Sequence, residues 1–143
     1  IYGGANVGLM EATAEHVKKH GGSITGIITH RICDYGKASR LPDELIRVDT
    51  LGERKQMMLD KADVFIALPG GFGTLDEIFT VIAAGHLGYH DKKVVFCNTN
   101  GFYNLLINQI ELFYRERFAS PHYKNYYQIA TNAEECIRML ENF

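Results

Sequence analysis

The sequence predicts an α/β protein whose strands form a doubly wound, mostly parallel central sheet with helices on both faces. Three observations lead there. Short apolar runs alternate with amphipathic stretches along the whole chain, the order that βα units impose. Two of those runs, Val64 to Leu68 and Val94 to Phe96, are continuously apolar, as strands covered on both faces must be. Glycine clusters stand where a strand hands over to a helix, at Gly3-Gly4 and at Gly70-Gly71-Phe72-Gly73.

Taken in order, Ile1-Tyr2 runs directly into two glycines and reads as the end of a buried strand followed by its turn, so the chain is expected to start partway through a fold. Met10, Thr13, Ala14 and Val17 share one face of a first helix, which Gly21-Gly22 ends. Strands are predicted at Ser23 to Thr29 and Leu45 to Val48, with Asp34 to Glu44 between them as the one mobile loop. A short helix covers Glu53 to Lys61, and a strand Asp63 to Leu68. Leu75, Ile78, Phe79, Ile82 and His86 line a helix that stops at Gly88. A strand follows at Lys93 to Cys97, then a helix lined by Phe102, Leu105, Leu106, Ile110 and Phe113, and a weak strand at Tyr126 to Ile129. Cys136, Ile137 and Leu140 mark the last helix, whose start Thr131-Asn132-Ala133-Glu134 reads as a capping box. With no internal repeat, low-complexity stretch or linker, residues 1–143 are expected to belong to a single domain.

Composition excludes several classes. At 46% hydrophobic and 22% charged residues, with a net charge of -2, the chain is not disordered, collagenous or a coiled coil. A domain of 143 residues buries roughly 68–70% of its unfolded surface, enough for a core without disulfides or a structural metal. Cysteines at 33, 97 and 136 make no CxxC pair, and an odd count reads as reduced thiols in a cytoplasmic protein. Near-neutral charge argues against nucleic acid or a membrane surface as partner, and no apolar run approaches the roughly 20 residues of a membrane span.

Leu68-Pro69-Gly70-Gly71-Phe72-Gly73-Thr74-Leu75-Asp76-Glu77 carries the most information. It lies at the carboxyl end of the most hydrophobic strand, where open α/β sheets bind ligands. Its glycines allow close backbone approach, and the N–H groups and dipole of the following helix favour an anion, so the segment reads as a phosphate cradle. It lacks the Lys-Ser/Thr of a Walker loop and the spacing of a dinucleotide fingerprint. Gly3, Gly4 and Gly8 form a second such turn, for which a purely geometric role is as good an account. Glu77 has two readings of equal weight: the partner of Thr74 in a capping box, or a carboxylate one turn from a bound nucleotide. Glu53-Arg54-Lys55 is ordinarily a solvated face, yet it follows a strand at the ligand end of the sheet, where an Arg can fork onto a phosphate.

Together, Tyr2 to Met10, Glu53-Arg54-Lys55 and Pro69 to Glu77 resemble the LONELY GUY (LOG) family, long labelled "lysine decarboxylase", with its motif PGGxGTxxE. The resemblance runs the length of the chain and includes Leu87 to Lys92 and Asn98 to Tyr103. It implies a Rossmann-like fold and a phosphoribohydrolase that cleaves a nucleoside 5'-monophosphate, AMP or an N6-modified adenine nucleotide, into free base and ribose 5-phosphate. It places the phosphate against Gly70, Gly71, Gly73 and Thr74, with Lys55 nearby, and makes Arg54 and Glu77 the catalytic pair. The carboxylate would stabilise oxocarbenium charge, and the Arg would anchor the substrate and hold the Glu ionised. No metal or other cofactor is implied, and the sequence shows no His/Asp cluster for one. A homodimer is implied, with the helix from Leu75 to His86 as a candidate surface. The chain departs from the family pattern at Leu51-Gly52, at Ala84 and at Glu11, where Met-His, Trp and Gly are usual; these positions bear on the base pocket. The resemblance also places a further βα unit, roughly 30 residues or more, before Ile1.

Two other readings compete. Related proteins of the same fold act as non-catalytic nucleotide or cofactor carriers and sensors, against which the presence of both Arg54 and Glu77 argues. An amino-acid decarboxylase would need a Schiff-base lysine, and Lys55, beside Arg54, has no evident partner for a pyridine nitrogen. DNA binding finds no basic stripe.

Overall fold

A computed structural model describes all 143 residues. The backbone falls into two compact units, Ile1–Ala62 and Asp63–Phe143. Both are α/β, and every strand in the two sheets pairs in parallel.

In the first unit, α1 spans Gly8–Lys19, β1 Thr25–Thr29, α2 His30–Asp34, β2 Glu44–Val48 and α3 Leu51–Lys61. β1 and β2 run in register from Thr25 opposite Glu44 to Thr29 opposite Val48. Tyr2 makes a parallel bridge to Gly26: its N–H donates to Thr25 O and its carbonyl accepts from Ile27 N–H, both at 3.0 Å. The apolar opening of the chain is thus strand-like, as read. Gly21 closes α1 with φ at +76°, and Gly22 N–H reaches back to Val17 O at 2.9 Å, the five-residue return of a Schellman motif. Tyr2, Ala14 and Ile24 pack together with Met10, Val17 and Leu41 around them, while Ile27 and Ile28 of β1 are fully buried.

The stretch from Asp34 to Glu44, expected as a mobile loop, is instead tied down. Asn6 N–H donates to Lys37 O at 2.8 Å, Ser39 N–H donates to Gly4 O at 2.9 Å, and Ala5 bridges Ala38 antiparallel. Asp43 accepts from Ile24 N–H at 2.8 Å and pairs with Lys18. The segment's anchors lie 19 to 35 residues away along the chain and leave no local sequence signal.

In the second unit, β3 spans Val64–Ala67, α4 Phe72–His86, β4 Lys93–Cys97, α5 Asn104–Arg115, β5 Tyr127–Ala130 and α6 Ala133–Leu140. Short 3₁₀ turns occupy Thr99–Gly101 and Pro121–Asn125. β4 lies between β3 and β5. Its apolar run serves two faces: Val95 and Cys97 pack with Ala130 and with Cys136 of α6, while Phe96 meets Tyr103 and Tyr127 edge-on. β3 is the edge of this sheet and leaves Ile66 39% exposed, so an apolar run as continuous as that of β4 is not covered on both faces within its unit. α6 starts on Asn132, whose side chain accepts from Glu135 N–H at 2.9 Å. Glu135 in turn accepts from Thr131 N–H at 2.7 Å. The cap therefore sits one residue later than Thr131 to Glu134, because Asn is at least as good an N-cap as Thr and helix packing fixes the register.

Candidate functional site

β3 delivers the chain through Leu68 and Pro69 to the glycine loop. α4 begins at Phe72 with Gly71 as its N-cap, and no side chain caps it. Thr74 is therefore the third residue inside the helix, and the capping box read for Thr74 and Glu77 does not form. The glycine backbone turns into the helix three residues earlier than a Thr74 cap would, which leaves the first N–H groups of a 15-residue helix to other acceptors.

The loop glycines differ in what requires them. A Cβ on Gly70 would collide with the side chain of Thr74, so packing alone demands glycine there. A Cβ on Gly71 or Gly73 would meet no atom within 4 Å, and both positions are exposed. Protein crowding does not explain these two glycines, whose backbone is left open to solvent. Glu77 is half-buried on α4, three residues after Thr74 and four after Gly73, which puts it on their face of the helix, about 6 Å along the axis from Gly73. Phe72, at the lip of the loop, is 95% exposed.

In the first unit, the run Glu53-Arg54-Lys55 is not one solvated face. Glu53 closes a capping box with Thr50: Glu53 N–H donates to Thr50 Oγ1 at 3.1 Å, and Thr50 N–H donates to Glu53 Oε2 at 3.3 Å. Arg54 points inward, is 8% exposed, and its Nε donates to Ile27 O on β1 at 2.8 Å. Lys55 is half-buried. Gly3 lies against the guanidinium, since a Cβ there would come within 2.5 Å of Arg54 Nη2 and 2.7 Å of Met10 Sδ. Gly4, with φ at +71°, is wedged against Ile27, Ile28 and Leu45. Gly8 has φ at +54° and open space around it, and α1 starts there behind Val7 without a side-chain cap.

Among the residues read from sequence, the structure thus brings Gly3 together with Arg54, and Gly70 with Thr74 on the helix that carries Glu77. At the departure Glu11, the Oε2 atom is buried without a hydrogen-bond partner. Burial raises the pKa of the Tyr2 phenol, and the charge of Glu11 adds to that rise. No three His, Cys, Asp or Glu side chains group as a metal site, and no helix is long and apolar enough to cross a membrane.

Sequence reasoning missed Tyr103. It is 2% exposed at the head of α5, and its hydroxyl donates to Leu68 O at 2.5 Å, directly before Pro69. The Asn-x-Asn-Gly turn at residues 98–101 was its visible signal.

Parallel α/β units with a glycine turn feeding an uncapped helix define a protein of the Rossmann-like class. Comparison with known proteins narrows this. A family model described as "Possible lysine decarboxylase" matches residues 10–140, and the chain belongs to this family, the LOG family. It is 38% identical over 143 residues to "Cytokinin riboside 5'-monophosphate phosphoribohydrolase LOG5" of Arabidopsis thaliana. It is 34% identical over 143 residues to "Probable cytokinin riboside 5'-monophosphate phosphoribohydrolase LOGL9" of Oryza sativa subsp. japonica. Both alignments cover 100% of this chain and 63% of the relative, so the chain spans less than two thirds of the length of these curated relatives. Among solved structures, the molybdenum cofactor binding protein of Rippkaea orientalis superposes with a TM-score of 0.66 at 26% identity, covering 98% of this chain and 74% of that one.

Proposed function

We propose that the protein hydrolyses the N-glycosidic bond of a purine nucleoside 5'-monophosphate, AMP or an N6-modified adenine counterpart, giving free base and ribose 5-phosphate. The observation that carries the reading is the uncapped N-terminus of α4 behind exposed Gly71 and Gly73, with Glu77 one turn further on. The relatives' names supply the substrate class. The 5'-phosphate takes the N–H groups of the loop, with Thr74 beside it and Lys55 as a further cation. Water adds to C1' as the bond to the base breaks; the bonding electrons leave with the base, which takes up a proton as the water loses one. The Glu77 carboxylate stabilises the positive charge that grows on the ribose, and Arg54 holds phosphate or ribose through its planar fork. Gly3, Gly4 and Gly8 shape a second turn that the substrate approaches. None of this needs a bound cofactor.

The same reading has the protein acting as a cytoplasmic homodimer. Ile78, Val81 and Ile82 of α4 are buried in their own unit, leaving Phe72 and Phe79 of that helix exposed. Light scattering of the purified protein tests the dimer. A second reading, a carrier that binds without turnover, is favoured by the likeness to the Rippkaea orientalis protein. Incubation with AMP and with N6-isopentenyl-AMP separates the two: release of base supports the hydrolase, and binding without release supports the carrier. Glu77→Ala should abolish release while AMP still binds.

A further inference from the structure

The glycine loop has an anchor from outside its own strand and helix. Between β4 and α5, residues 98–104 form a tight knot: Asn98 Oδ1 accepts from Tyr103 N–H at 2.7 Å, and Asn98 Nδ2 donates to Asn104 Oδ1 at 2.9 Å. Asn100 and Gly101 both have left-handed backbone, with φ at 54° and 71°. At Gly101 a Cβ would come within 2.5 Å of the Asn104 side chain, so the turn admits little else. Its product is the placement of one buried ring. Tyr103 stands edge-on to Phe96 of β4, centroids 5.3 Å apart, with Phe102 edge-on to it at 4.9 Å. Two aromatic neighbours and the knot at its backbone leave that ring one position. Its hydroxyl donates to Leu68 O at 2.5 Å, and burial pushes the phenol above its ordinary pKa. The oxygen therefore grips the chain directly before Pro69.

We propose that Tyr103 is a positioning residue for anion binding: its hydroxyl holds the Leu68 carbonyl, directly ahead of Pro69 and the glycines, so that the N–H groups at the start of α4 converge on a phosphate. This rests on the phosphate-loop reading given under Proposed function. Gly70, Gly71 and Gly73 are the residues least able to hold one conformation by themselves. A loop without its clamp spends less time in the binding-competent form, and the apparent dissociation constant rises by the inverse of that fraction. Complexes that do form have the loop in place and react at the ordinary rate. A clamp thus affects KM and product inhibition together and spares kcat, whereas a residue needed only for folding lowers Tm and leaves KM alone.

Tyr103→Phe keeps the ring and removes the grip; Asn98→Ala loosens the knot with the hydroxyl intact. AMP, ribose 5-phosphate and adenosine binding are titrated by calorimetry, and AMP turnover is followed separately. The expected result for Tyr103→Phe is a rise of about 5-fold in Kd for AMP and for ribose 5-phosphate alike, the size a single hydrogen bond allows. Adenosine, which lacks the phosphate, should bind unchanged, and kcat should stay within about twofold. Asn98→Ala should move the same constants in the same direction, and it carries the test if Tyr103→Phe does not fold. Equal Kd for AMP in variant and wild type overturns the clamp. A wild type that binds AMP without releasing adenine refutes the hydrolase reading, while the ratio of dissociation constants still decides the clamp. A wild type that binds no AMP overturns both.

Discussion

Gly4 and Gly8 sit in the same turn, both with positive φ, and the structure assigns them different costs of substitution. An Ala at either position enters the left-handed region, at roughly 1–2 kcal/mol, and regains about 0.4–1 kcal/mol by stiffening the unfolded chain. At Gly8 there is nothing within 4 Å of the new Cβ, so the net loss is about 1 kcal/mol. At Gly4 the Cβ meets Leu45 Cδ1 at 3.1 Å, Ile28 Cβ at 3.2 Å and Ile27 N at 3.3 Å. Two of these atoms belong to the backbone and branch point of β1, whose residues are fully buried and cannot move aside as a flexible side-chain tip can. Overpacking of this kind adds roughly 1–3 kcal/mol, for a total of about 2–4 kcal/mol. For a chain of this length each kcal/mol shifts Tm by about 3 °C. Calorimetric melting should therefore show Gly4→Ala falling by roughly 6–12 °C and Gly8→Ala by only about 3 °C. Equal losses would refute the claim that packing, on top of φ, requires glycine at position 4.

His90 and the cysteines offer two further tests. His90 Nε2 donates to Val81 O at 3.1 Å and its Nδ1 accepts from Lys92 N–H at 3.0 Å, so the neutral ring is fully used. Burial, with Lys92 and Lys93 adding to it, holds the pKa below the ordinary value despite the Val81 bond and Asp91. The folded state thus resists protonation more than the unfolded chain, and stability present above about pH 6.5 is lost as pH falls below it. Tm measured from pH 7.5 to 5 should drop more steeply in wild type than in His90→Gln; parallel curves would remove His90 from the account. The Cys136 thiol is pushed up to about 11 by burial and then by Cys97, and both are about 2% exposed, whereas Cys33 is half-buried. A thiol reagent at pH 8 should label Cys33 rapidly and reach the other two only in denaturant. Three equal rates in the native protein would contradict this packing.

The sequence exposed what is written in local pattern and concealed what depends on distant partners. Lys93 to Cys97 was legible at both ends because its apolar run is bounded by polar and turn residues and both faces are covered. The end of α1 was legible because Gly21 and Gly22 are what a Schellman closure requires. Thr74-x-x-Glu77 misled because the pattern can arise inside a helix as easily as at its start, and the true cap, Gly71, has no side chain to signal it. The same pattern at Thr50-x-x-Glu53 was real and went unread, since charge density drew attention to Arg54 and Lys55. Arg54 could be named as a ligand-end residue, but its inward turn onto Ile27 O is a tertiary fact across 27 residues. Tyr103 lay hidden for the same reason: its partner, Leu68, is 35 residues away.

The central claim is that the glycine loop and Glu77 cleave a nucleoside monophosphate at its glycosidic bond. Its most direct test is a product assay in which wild type and Glu77→Ala are incubated with AMP and N6-isopentenyl-AMP, and free base and ribose 5-phosphate are quantified by chromatography. Wild type should release base and ribose 5-phosphate in equal amounts from at least one of the two, and Glu77→Ala should release neither while still binding nucleotide. Undiminished cleavage by Glu77→Ala, or tight binding by wild type with no base released, would contradict the account.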